Sequence, residues 1–184
     1  IESSDLYRLD VSTGKKSLLT ADNPGRVISW VVDGALVPRL AVSIEPSSTT
    51  VIVRHKDSDS SAWSELWRMD LAKGSVTFPL GFEGADLVVA SNVESQTMQV
   101  RKFDLKERKL GEVLVSHPRF DIGSDQVGSP LPGPIWNAKG NQLLGFSVLA
   151  ERLQSVWIDQ RFARIQRGID ELFPGKVNQL SINP

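Results

Sequence analysis

Residues 6–20 read LYRLDVSTGKKSLLT, residues 66–80 read LWRMDLAKGSVTFPL, and residues 100–114 read VRKFDLKERKLGEVL. Each copy runs hydrophobic, variable, basic, hydrophobic, Asp, hydrophobic, and then passes through a polar turn into a second apolar stretch. A fainter fourth copy is Val156-Trp157-Ile158-Asp159. A segment of this kind reads as a strand that stops at an aspartate. Asp10 and Asp70 can accept backbone N–H groups in the turn, and Gly14 and Gly74 can supply a positive φ, which predicts hairpin chemistry at both places.

The Asp markers are spaced unevenly, with 60 residues from Asp10 to Asp70, 34 on to Asp104 and 55 to Asp159. Sheet units of about 40–50 residues with variable loops fit the blades of a β-propeller, whereas a solenoid needs a tighter period. Between markers the strands group in fours. Residues 27–33, 37–44, 50–55 and 65–70 make one blade. Residues 76–81, 86–91, 97–104 and 111–115 make a second. A third is less regular, with strands at 135–137, 143–149 and 154–159 and a closing segment near 178–182. Residues 6–9 and 16–19 form an N-terminal hairpin, the last two strands of an earlier blade. Apolar runs such as VISWVV suit strands covered on both faces.

The expected fold is therefore mostly β: a partial β-propeller of about three four-stranded antiparallel blades plus an N-terminal hairpin and one C-terminal helix. Its segments are blade ends at 1–20, blades at 26–71 and 75–116, and a less regular blade with the helix at 128–184. The helix is predicted over residues 160–173, capped by Asp159, with Phe162, Ile165, Ile169 and Leu172 on its docking face and Pro174-Gly175 ending it. Residues 56–61 (KDSDSS) and 128–134 (GSPLPGP) read as exposed loops.

With 21 basic and 22 acidic residues the net charge is −1, and the charges are interspersed. Nothing in that balance attracts nucleic acid or an anionic membrane surface. No apolar run approaches the roughly 18 residues of a membrane span. The chain has no cysteine, so disulfides, thiolate catalysis and cysteine-ligated metal are excluded. Cytosol and periplasm both remain open to such a chain.

No constellation points to catalysis, a cofactor or a metal. The nearest match to a nucleophile elbow is Gly145-Phe146-Ser147-Val148-Leu149, which lacks the second glycine and sits in a strand pattern. His55 and His117 each end a strand with no acid or nucleophile placed beside them by sequence. Asp57-Ser58-Asp59-Ser60-Ser61 resembles the start of a calcium loop but has Ala62 at the sixth position and Arg68 at the twelfth, where glycine and glutamate are needed. Trp30, Trp63, Trp67, Trp136 and Trp157 read as packing and turn anchors, with a ligand platform as the alternative. Arg161, Arg164 and Arg167 read as the wet face of the helix.

The strings DLYRLDVSTGKKSLLT (5–20), PLGFEGADLVVASN (79–92), VRKFDL (100–105), LGEVLVSHPRFDIG (110–123) and QSVWIDQRFARIQRGIDELFPGKVNQLSIN (154–183) together resemble the propeller of bacterial prolyl-oligopeptidase-family serine peptidases. The acylaminoacyl-peptidase and dipeptidyl-peptidase-like members are the most similar. The resemblance implies a peptidase N-terminal domain that caps an α/β-hydrolase domain and filters peptide substrates. It implies that the catalytic Ser, Asp and His lie in that other domain, so no site residue is carried over. It also implies that both ends of this chain are cuts inside the propeller.

The expectation is a non-catalytic propeller segment of a serine peptidase. Its partners would be the α/β-hydrolase domain of the parent chain and, transiently, peptide substrates. Self-association through the terminal blades is expected too, with Leu6, Leu9, Val11 and Leu18 at one end and Leu180 and Ile182 at the other. The alternative is a stand-alone propeller-like binding or scaffold module.

Overall fold

The computed structural model describes residues 3–122 and 133–182. Among these residues, thirteen strands form four antiparallel sheets, accompanied by one α-helix and one short 3-10 turn. The chain is mostly β, as its strand patterns require, and among the described residues no sheet closes on itself. It divides into two compact units, Ile1–Val76 and Thr77–Pro184.

The first unit opens with a hairpin, β1 (Tyr7–Leu9) and β2 (Lys16–Leu18). A four-stranded meander comes next: β3 (Val27–Val32), β4 (Pro38–Ile44), β5 (Thr50–His55) and β6 (Ser64–Asp70), paired in chain order. In β4 the successive residues Leu40, Ala41 and Val42 are all buried, as are Val51, Ile52 and Val53 in β5. Successive strand residues point to opposite faces, so both faces of these central strands are dry. The hairpin is tied on through its flanks. Ser4 N–H donates to the Val27 carbonyl (2.8 Å), and the Trp30 indole donates to the Ser4 carbonyl (3.0 Å). The hairpin's own apolar residues stay in the open: Tyr7, Leu9, Val11 and Leu18 are all exposed, and Leu6 is half-buried.

In the second unit, β7 (Thr77–Glu83), β8 (Asp86–Ser91), β9 (Gln99–Asp104) and β10 (Lys109–Val115) form another four-stranded meander. Beyond it lies a three-stranded sheet of β11 (Pro134–Trp136), β12 (Leu143–Leu149) and β13 (Leu153–Trp157). The two sheets share one core, in which Val88, Val100, Val115 and Ile122 meet Leu143, Phe146 and Val148. Trp136 fits this interface only because residue 81 is glycine. A Cβ at Gly81 would fall 2.6 Å from Trp136 Cζ2.

All four marker aspartates do the same local work. Asp10 accepts from Ser12 and Thr13 N–H, Asp104 from Lys106 and Glu107, Asp159 from Arg161 and Phe162, and Asp70 from Ala72. Gly14 and Gly74 adopt the left-handed conformation, with φ of 71° and 77°. The chain leaves these turns by different routes. Asp10 and Asp104 open hairpins, whereas Asp70 closes its sheet and leads through a 3-10 turn (Leu71–Lys73) into β7 of the next. The hairpin expected at Asp70 is therefore corrected. A side-chain cap satisfies the backbone N–H groups of the turn but does not choose the next strand's partner.

Asp159 caps helix α1 (Gln160–Leu172), as its sequence predicts. Its docking face differs from the expected one. Phe162 stacks on Trp157 with ring centroids 5.2 Å apart, and Gln166 Oε1 accepts the Trp157 indole N–H at 3.3 Å. Ile169 is half-buried, while Ile165 and Leu172 are 44% and 74% exposed. At about 100° per residue, Phe162 and Gln166 share one side, and Ile165 and Leu172 lie on the flank of the same apolar arc. The closing strand expected near 178–182 is also corrected. The Pro174-Gly175 turn brings the tail back against the helix, where Gln166 Nε2 donates to the Asn178 carbonyl (2.9 Å) and Asn178 Nδ2 to Asp170 (2.9 Å). The third sheet thus has three strands. Leu180 and Ile182 are half-buried. Of the loop read at 128–134, residues 128–132 lie outside the described residues, and Pro134 already belongs to β11. In the loop read at 56–61, Lys56 is buried.

Phe146 is fully buried in the core shared by two sheets, so Phe146→Ala should cost about 3–5 kcal/mol, whereas Leu172→Ala should stay within about 0.5 kcal/mol. Urea unfolding of both variants checks the contrast.

The marker carboxyls predict acid sensitivity. Asp10 is held down from its ordinary 3.8 to about 2, first by the Ser12 hydroxyl and then by backbone N–H groups, and Asp70 and Asp104 are lowered as well. A depressed folded-state pKa means that the unfolded chain takes up protons first. The stabilisation is complete above the unfolded value and disappears as pH falls through the folded one. Melting temperature should therefore drop between about pH 4 and pH 2, and the triple replacement Asp10→Asn, Asp70→Asn, Asp104→Asn should flatten that slope. An unchanged slope in the triple variant would contradict the assignment.

Candidate functional site

The residues weighed in the sequence scatter into local structural roles. Ser147 sits in the middle of β12, opposite Ser155 of β13, and its N–H donates to the Gly133 carbonyl (2.9 Å). A serine in a regular strand has no sharp turn to present its hydroxyl. His117 Nδ1 accepts N–H groups from Arg119 (3.1 Å) and Phe120 (3.2 Å), and its ring lies against Phe120. It closes a turn with the nitrogen that a general base would need free. His55 Nδ1 lies 3.3 Å from Asp57.

The two carboxylates of the calcium-like segment diverge. Asp57 faces His55, while Asp59 reaches Arg39 at 3.4 Å. Among the described residues, no three His, Asp or Glu side chains converge on a point that could hold a metal ion. Arg161 is exposed, as expected, and its guanidinium lies 4.8 Å from the centre of the Phe162 ring. Arg164 and Arg167 are exposed.

One constellation gives no sign of itself in the sequence. Lys56, directly after β5, is buried, and its ammonium meets Asp22 at 2.6 Å. The same ammonium lies 5.4 Å from the centre of the Trp63 ring, and Trp63 packs on Trp30 with centroids 5.5 Å apart. Burial raises the Asp22 carboxyl, but the hydrogen bond from Lys56 and further donors outweigh it and leave the group lowered. The Trp63 indole N–H is enclosed and helps to hold that carboxyl down, without reaching full hydrogen-bond geometry. Leu18, Leu36, Pro38 and Trp63 line a hollow of about 420 Å³ beside the pair. Asp22 and Trp63 lie 41 residues apart in the chain, and no local motif links the four residues.

Chemically, this cluster is a clasp. It joins the segment after β2 to the end of β5 through a neutralised ion pair whose ammonium lies against the Trp63 indole, which in turn packs on Trp30. It contains no nucleophile and no free base. Comparison of the chain with protein-family models, with curated proteins and with solved structures finds no match.

The clasp makes an asymmetric prediction. Asp22→Ala leaves a buried ammonium without its carboxylate and should cost about 1–3 kcal/mol. Lys56→Met leaves Asp22, which is half exposed, free to hydrate, and should cost less. Denaturant midpoints of the two variants test the order.

Proposed function

We propose that this chain is a non-catalytic propeller segment of a serine peptidase, which gates peptide substrates and docks an α/β-hydrolase domain. The observation that carries the reading is the succession of meanders. Each sheet pairs its strands in chain order, and the chain passes from the last strand of one sheet, β6, straight into the first strand of the next, β7. Propeller blades are built in this way. In this reading the β3–β6, β7–β10 and β11–β13 sheets are successive blades, the third with three strands. The hairpin β1–β2 is the outer half of a preceding blade, and its exposed Leu9, Val11 and Leu18 are covered by a neighbour or by another copy.

The repeated strand–Asp turns and the five peptidase-like strings between residues 5 and 183 support the family resemblance. The peptidase role comes from that resemblance by analogy, because a fold does not dictate a function.

Two measurements test the reading. Sequencing the gene downstream should reveal a G-x-S-x-G segment within an α/β-hydrolase pattern, and a coding region without one would remove the peptidase assignment. The 184-residue chain should not react with a fluorophosphonate probe. Labelling that coincides with peptide turnover, both abolished by Ser147→Ala, would overturn the non-catalytic role.

A further inference from the structure

Strand β13 lies at an open edge of its sheet. It pairs with β12 in one unbroken register, from Gly145↔Trp157 to Leu149↔Leu153. The bonds Ile158 N–H to Leu144 C=O (2.9 Å) and Ala150 N–H to Arg152 C=O (3.3 Å) continue that register at both ends. Bonded and non-bonded pairs alternate along an antiparallel ladder. Gln154 and Val156 therefore bond inward to β12, and Leu153, Ser155 and Trp157 turn their N–H and C=O groups outward. No described residue takes those groups up.

Sheet edges are usually blunted by charge, proline or a covering element. Here α1 and the tail run alongside but stand off. Two hollows of about 390 Å³ and 510 Å³ run along the strand, meeting at Ser155, Gln166 and Asp170. At the Leu153 end, Arg152 and Lys176 line the first hollow, and neither is ion-paired within the described residues. The acid beside them, Asp170, is engaged by Gln166 and Asn178.

We propose that the β13 edge is a strand-addition site for an extended peptide that runs antiparallel to β13 and ends with its free carboxylate between Arg152 and Lys176. Only an extended backbone matches a row of alternating donors and acceptors. Antiparallel addition places the peptide's C-terminus at the Leu153 end, where the two cations are. A second copy of this chain is a poor occupant, because its β13 brings its own α1 and tail alongside. The inference stands on the edge geometry and is independent of the peptidase reading.

The test titrates the full chain into a fluorescein-labelled Thr-Val-Thr-Val-Glu peptide with a free C-terminus and follows anisotropy. Saturable binding is expected. Amidating the peptide's C-terminus should weaken it by about tenfold, the scale of a lost charge-assisted hydrogen bond. Ser155→Pro removes one outward N–H at a place where an edge strand tolerates proline, and should also cost about tenfold or more. A peptide N-methylated at alternate amides should not bind the parent protein. That measurement decides the matter should Ser155→Pro lose its far-ultraviolet circular dichroism. No saturation up to millimolar protein, equal affinity for acid and amide, or undiminished binding of the N-methylated peptide would overturn the proposal. Self-association abolished by Ser155→Pro, with no peptide binding, would assign the edge to a second copy and overturn it as well.

Discussion

Two-sided burial of the central strands is the constraint on which the rest depends. Leu40, Ala41 and Val42 in β4, and Leu87, Val88, Val89 and Ala90 in β8, are fully or almost fully buried at successive positions. A sheet built on such strands is apolar above and below and cannot stand alone in water, at roughly 25 cal/mol for each Å² of apolar surface. In the second unit the solution is explicit: the β7–β10 sheet lays Val88 and Val100 against Leu143, Phe146 and Val148 of the sheet beside it. The two-stranded hairpin β1–β2, by contrast, leaves Leu9, Val11 and Leu18 exposed. Isolated hairpins are at best marginally stable.

The aspartate turns supply the chain's punctuation. Each uses one carboxylate to satisfy backbone N–H groups that a strand leaves when it ends; the Ser12 hydroxyl and then such donors hold the Asp10 carboxyl low, and the Glu107 N–H leads at Asp104. The device is local and blind to destination. It serves hairpins at Asp10 and Asp104, a passage between sheets at Asp70 and a helix cap at Asp159. Where glycine is missing from the third copy, Arg108 takes the left-handed conformation instead, with φ of 52°.

Edges decide where such a structure can meet something else. The clasp of Lys56, Asp22, Trp63 and Trp30 ties two segments of the first unit with a paired charge beside the Trp63 ring. The border at β13 is finished differently. A helix docked through Phe162 and Gln166 lies beside the strand without filling the space, and three backbone positions keep their hydrogen-bonding capacity. A neutralised ion pair has little left to offer a ligand, and a row of outward-facing peptide groups has a great deal.

The sequence by itself determined the strands and their grouping in the two four-stranded sheets, because period-2 patterning, aspartate turns and breakers act over a few residues. It placed β4, β5, β8 and β12 to within a residue at each end, together with the Asp159 cap. Three matters were decided only by tertiary structure. The route out of the Asp70 turn, into β7 and its partner β8 rather than back onto β6, is set by pairing beyond the turn itself, because the aspartate cap is the same as in the hairpins. The side of α1 that docks depends on where Trp157 stands, since the helix's apolar arc is wider than its contact. The tail at 178–182 has strand-like residues but bonds to Gln166 and Asp170, so the sheet beside it keeps an open edge. The Lys56–Asp22 clasp was illegible for the same reason: it joins residues far apart in the chain, and a lysine in a polar loop gives no local sign that folding will bury it.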